Sequence, residues 1–99
     1  MKDQNLERAA VSNEEAQVVL DKIKSTIVKE VGCEEKDVVL GARWRDDLCA
    51  DSLDMAYVMM ALDRLLDIHV NEHDGWENNS TLYDTCCGLV RTLKEDGRF

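Results

Sequence analysis

The chain has 99 residues and a formal net charge of −9; it is 44% hydrophobic, only 5% aromatic, and contains no proline. That length makes one small domain with a modest core, and a core of Leu, Val, Ile, Met and Ala without proline favours helices. The acidity excludes nucleic acid as a natural partner, because phosphate would be repelled, and no apolar run approaches the roughly 18 residues that cross a membrane.

Residues 1–10 are polar and charged. They read as a flexible tail without the hydrophobic stretch of a secretion signal. The four cysteines (Cys33, Cys49, Cys86 and Cys87) are then expected as free thiols in a reducing cytoplasm. The folded domain is expected over residues 11–96. Ser12-Asn13-Glu14-Glu15 has the capping-box pattern, with Ser12 at the cap and Glu15 three positions on. Ala16, Val19, Leu20, Ile23, Ile27, Val28 and Val31 follow at the spacing of one helical face. Gly32 is placed to end that helix. From Cys33 to Asp51 the pattern is irregular, with Val38, Leu40, Trp44 and Leu48 as apolar anchors expected to fold down onto the core.

A second helix is expected to open at Ser52, with Asp51 as its N-cap. It carries two apolar stripes. Met55, Val58, Met59, Leu62, Leu65 and Leu66 have the spacing of a core face. Leu53, Ala56, Tyr57 and Met60 form the other, on the same side as Ser52. Rimmed by Asp47, Asp51, Asp54 and Asp63, it has the makings of a transient protein-binding patch; additional core is the plainer reading. Residues 69–79 are polar and broken by Gly75, and a short helical turn is expected there. Ser80 or Thr81 caps a last helix that buries Leu82, Cys86, Leu89, Val90 and Leu93. The expected architecture is an all-α, small antiparallel bundle of three main helices plus a short one.

The charge is concentrated. Between Asp46 and Glu77 stand nine carboxylates (Asp46, Asp47, Asp51, Asp54, Asp63, Asp67, Glu72, Asp74 and Glu77) and one basic residue, Arg64, so this stretch holds −8 of the chain's −9. Most acidic runs are solvated faces. Here the run surrounds Ser52, which favours docking to a basic partner surface. Other chemistry is poorly supplied. Cys33, Cys49, His69, His73, Cys86 and Cys87 lack the spacing of a zinc site. Asn71-Glu72-His73-Asp74-Gly75 has its glycine too early for a calcium loop and reads as a surface turn. Asp46-Asp47 is a charged rim rather than an acid–base pair, and no enzyme active site or metal site is expected.

The string Asp46-Asp47-Leu48-Cys49-Ala50-Asp51-Ser52-Leu53-Asp54, together with Met60-Ala61-Leu62, resembles the prosthetic-group region of acyl carrier proteins. The resemblance covers roughly Val11 to Leu93. It implies an acyl-carrier-like bundle in which Ser52, flanked by Asp51, Leu53 and Asp54, carries a covalent 4'-phosphopantetheine arm. A phosphopantetheinyl transferase would install that arm from coenzyme A. The arm's thiol would hold acyl groups as thioesters for acyl-transferring or condensing enzymes of fatty-acid, lipid or related biosynthesis. Those partners would dock through basic surfaces onto Asp47, Leu53, Ala56, Tyr57, Met60 and Asp63 of a monomeric carrier. The resemblance also implies an acyl cleft between the helices, lined by Met55, Met59, Leu62, Leu66, Leu89 and Val90, for an aliphatic cargo. The chain departs from the family's pattern at three places. Cys49 stands where glycine is usual, Tyr57 and Arg64 stand where acidic residues are common, and the segment after His69 lacks the usual acidic short helix. Two alternatives remain beside this reading: an aminoacyl or peptidyl carrier of a specialised pathway, and a non-carrier acidic module whose Ser52 is unmodified or phosphorylated.

Overall fold

A computed structural model describes residues 11–99. The tail expected at residues 1–10 lies outside the described residues. Three α-helices form a small helical bundle, and no strand occurs among the described residues. The first, α1, runs Asn13–Val31. Ser12 Oγ accepts from the Glu15 N–H at 3.1 Å, and the Glu15 carboxylate accepts from the Ser12 N–H, also at 3.1 Å. Two of the four orphan donors at the helix start are thereby satisfied. Gly32, at φ 83°, ends the helix by donating to Val28 O. Ala16, Val19, Leu20, Ile23 and Ile27 are buried, and α1 packs against both other helices. Lys94 Nζ sits 2.7 Å from Glu15 Oε2 and joins the last helix to the first. That hydrogen bond holds the Glu15 carboxyl below its usual range.

A single 3-10 turn, Glu35–Asp37, follows α1. The anchors then behave as their hydrophobicity requires: Val38, Trp44 and Leu48 are buried and Leu40 is half-buried. Helix α2 runs Ser52–Leu66 and buries Met55, Val58 and Leu62. Leu65, expected on that core face, is instead 52% exposed. The core face of so short a helix is narrower than the full apolar stripe, and Leu65 falls beyond its edge.

Helix α3 runs Leu82–Glu95 and is capped by Thr81, whose hydroxyl accepts from the Asp84 N–H at 3.1 Å. The short helix expected within residues 69–79 does not form; turns fill that segment. Side chains outcompete the helical pattern there. The Asn71 side chain accepts from the His73 N–H at 3.0 Å, the Asp74 N–H bonds to Asn71 O, and Gly75 takes φ 91°. Asp74 is held besides by both arms of the Arg91 guanidinium, at 2.7 and 2.9 Å.

Two loops converge on the start of α3. Trp44 and Trp76 stack with ring centroids 5.5 Å apart. Trp44 Nε1 donates to Thr85 Oγ1 at 2.8 Å, and that hydroxyl donates to Gly75 O at 2.6 Å. The backbone of the 40–44 segment bonds to Ser80, Leu82 and Tyr83. At Gly88 the Asp74 carbonyl lies where a Cβ would stand, so the loop rests directly on the helix backbone. The long irregular segment is therefore rigid scaffold, and it fixes where α2 begins.

Candidate functional site

The site is the junction between that scaffold and α2. Residues 43–50 close a compact turn: the Asp47 and Leu48 N–H groups both donate to Arg43 O, and the Ala50 N–H donates to Trp44 O at 2.8 Å. Cys49, inside the turn, takes φ 58°. That is the left-handed region, which costs a side-chain-bearing residue roughly 1 kcal/mol and costs glycine nothing comparable. Cys49→Gly is therefore expected to raise stability by about 0.5 kcal/mol, after the greater entropy of an unfolded glycine is deducted. Urea unfolding midpoints of the two proteins check this.

Asp51 follows as the N-cap of α2. Its carboxylate accepts from the Asp54 N–H at 2.8 Å, and the Asp54 carboxylate accepts from the Asp51 N–H at 3.2 Å. Both flanking carboxylates are thus committed to the helix start. Ser52 occupies the first helical position and is exposed. Its hydroxyl makes no hydrogen bond to any described residue, and no histidine or lysine lies near it in the sequence. The site presents an accessible hydroxyl where first-turn N–H groups and the helix dipole favour an attached anion.

Beyond Ser52, Leu53, Tyr57 and Met60 are 59%, 47% and 54% exposed, and Ala56 is half-buried. The second stripe is thus a solvent-facing apolar strip on α2. Its acidic neighbours are less free than the sequence suggests. Asp47 accepts from the Arg43 N–H at 2.8 Å, and Asp63 accepts from the Val70 N–H at 2.8 Å across the end of α2. Asp46 exchanges hydrogen bonds with the side chain of Asn79. Asp46 and Asn79 lie 33 residues apart, and no sequence signal links them.

Alongside the strip runs an open groove of about 480 Å³, lined by Ala56, Met59, Met60, Asp63 and the wall from His69 to His73. Of the six residues expected to line a cleft between the helices, Met55, Leu62, Leu89 and Val90 are packed in the core. Met59 borders this outer groove, and Leu66 borders a different one with Lys22, Leu65, Leu93 and Arg98. The contribution of the His69–His73 wall had no sequence signal either, because it depends on how the turn folds.

The cysteines are all free. Burial pushes the Cys86 thiol up to about 12 and raises Cys87 and Cys33 as well, so these three are poor nucleophiles at neutral pH. Among the described residues no group of three or more His, Cys, Asp or Glu side chains could hold a metal ion. No helix among them is long and apolar enough to cross a membrane. No protein-family model matches the chain, and no solved structure matches it. The likeness to acyl carrier proteins therefore stands on the residues around Ser52 themselves.

Proposed function

We propose that the chain is a carrier protein whose Ser52 holds acyl groups, as thioesters, on a covalent 4'-phosphopantetheine arm. The observation that carries this reading is an exposed, unbonded serine at the first position of α2, between two carboxylates that cap the helix. A transferred group needs a reachable hydroxyl and a surrounding that tolerates a phosphodiester; the helix N-terminus supplies both. The base that takes the serine proton belongs on the transferase. Loading joins Ser52 Oγ to the arm's phosphorus and releases the nucleotide portion of coenzyme A. The apolar strip of Leu53, Ala56, Tyr57 and Met60 gives partner enzymes a contact surface beside the arm. The acidic stretch gives their basic surfaces a field to follow.

Incubation with coenzyme A and a phosphopantetheinyl transferase, followed by intact mass measurement, tests the reading. A gain of one arm supports it. No gain with several transferases, or a gain of a lone phosphate on protein isolated from cells, moves the chain to the non-carrier module. Charging the arm with octanoyl and with alanyl groups then separates an aliphatic carrier from an aminoacyl one: the cargo that raises the melting temperature is the one the protein holds.

The acidic field carries its own expectation. Asp51→Asn keeps an oxygen for the cap and removes the charge. It should slow arm transfer a few-fold, and Asp51→Lys should slow it by about ten-fold, with the difference shrinking in high salt. Asp51→Lys also loses the cap, at about 1 kcal/mol, so helix content is followed by circular dichroism. Lysine at the exposed control positions Glu14 and Glu95 should leave the rate within two-fold, as roughly expected for screened distant charge. Equal slowing at all positions would show that net charge, and not a local surface, governs transfer.

A further inference from the structure

The exposure of Leu65 has no part in the Ser52 strip. Leu65 lies 13 positions beyond Ser52, about 20 Å along the axis and about 120° around it from the strip, at 1.5 Å and 100° per residue. It borders a separate groove of about 420 Å³, with Leu66 and Leu93 as the rest of its apolar floor and Lys22 and Arg98 as its polar wall. This volume lies in the range of small-ligand sites. The groove is built by all three helices and the C-terminal turn. Gly97, at φ 72°, reverses the chain after α3, and the Arg98 N–H donates to Leu93 O at 2.8 Å, which brings Arg98 to the edge of the groove.

In a chain of net charge −9, a pocket whose only charged lining residues are cations is informative. The Lys22 ammonium makes no ion pair or hydrogen bond among the described residues. Arg98 pairs with Asp67 at 3.1 Å, but the Asp67 side chain is largely in water and the Arg98 side chain about half so, which makes the pair weak and exchangeable. We propose that this groove binds a single-chain carboxylate amphiphile, its alkyl chain on Leu65, Leu66 and Leu93 and its head between Lys22 and Arg98. The planar guanidinium suits a carboxylate in two-point contact, and the ammonium adds a point charge. A protein partner fits less well, since a stable interface needs roughly 800 Å² on each side and this concavity is small. The site is independent of arm attachment at Ser52.

Decanoate, kept below its micelle concentration, is titrated into the Ser52→Ala chain by NMR on the leucine and methionine methyl groups and by calorimetry. Shifts at Leu65, Leu66 and Leu93 are expected, with saturable binding. Lys22→Gln and Arg98→Gln, both at solvent-facing positions, should each weaken it by about three- to five-fold, the range of an exposed charge pair. Asp67→Asn should tighten it by about two-fold, because Arg98 loses its competing carboxylate. Decanol binding as tightly as decanoate, or indifference to all three substitutions, would reduce the groove to a bare apolar patch and overturn the proposal. So would decanoate shifts confined to Met59 and Met60, or an acidic amphipathic peptide that shifts the Leu65 methyls where decanoate does not.

Discussion

Ser52→Ala is expected to abolish arm attachment completely, with no residual gain of mass after exhaustive treatment with coenzyme A and a transferase. The other described serines offer no substitute. Ser12 has its hydroxyl committed to the Glu15 N–H, and Ser80 is buried with its hydroxyl on the Glu77 carboxylate. Ser25 is exposed but sits mid-helix in α1, where no first-turn N–H groups are free to meet an anion. The substitution removes only an exposed hydroxyl without an internal partner, so unfolding stability should change by less than about 0.5 kcal/mol. That contrast makes the result readable: a chain that folds as before and cannot be loaded. Loading of the Ser52→Ala protein would end the carrier reading as argued from this site.

Gly88→Ala is expected to be strongly destabilising, although the position is helical and the change adds a single methyl group. In the interior of an exposed helix, alanine in place of glycine stabilises by about 1 kcal/mol. At Gly88 the added Cβ meets the backbone carbonyl of Asp74, which no rotamer change can move aside. The loop is also held by the two-armed Asp74–Arg91 pair and by the Thr85 hydroxyl on Gly75 O. It must lift, and those bonds loosen with it. A net loss of about 2–3 kcal/mol is expected, the cost of overpacking in a close-packed contact. The control is Gly41→Ala, where an added Cβ meets nothing within 4 Å; it should fall within about 0.5 kcal/mol of the parent. Urea unfolding of both variants decides the point, and equal effects would contradict the close approach at Gly88.

These two sites also mark how far the sequence can be read. The starts of α1 and α2 were legible, because a cap is written locally, in Ser12 with Glu15 and in Asp51; for α3 the sequence left Ser80 and Thr81 open, and the structure chooses Thr81. The burial of Val38, Trp44 and Leu48 was legible too, since isolated large apolar residues in an irregular segment have nowhere else to go. The strip beside Ser52 was visible as a second periodicity on α2, although only the structure shows that water reaches it. Other features depend on partners far along the chain. The turn at residues 71–75 was legible from its polar residues and Gly75, but its clamp, Arg91, 17 residues on from Asp74, was not. The second use of Asp47 and Asp63, as acceptors for loop backbone, cannot be told from surface charge by composition. At Cys49 the left-handed backbone leaves no trace in the residue itself, and glycine being usual at that position in acyl carrier proteins was the one hint.

The stacking of Trp44 on Trp76 has a spectroscopic consequence. These are the chain's 2 tryptophans, both are buried, and both belong to the loops clasped around the start of α3. Intrinsic emission therefore comes from one cluster that Ser52 does not enter. It reports the release of the two loops, a sub-global opening that precedes or accompanies unfolding, and stays dark to events at the serine. A fluorescence melt and a mass-based loading assay thus view two separate parts of the same small protein. A label on the exposed Cys49 thiol, three residues before Ser52, would bring the second part into optical view.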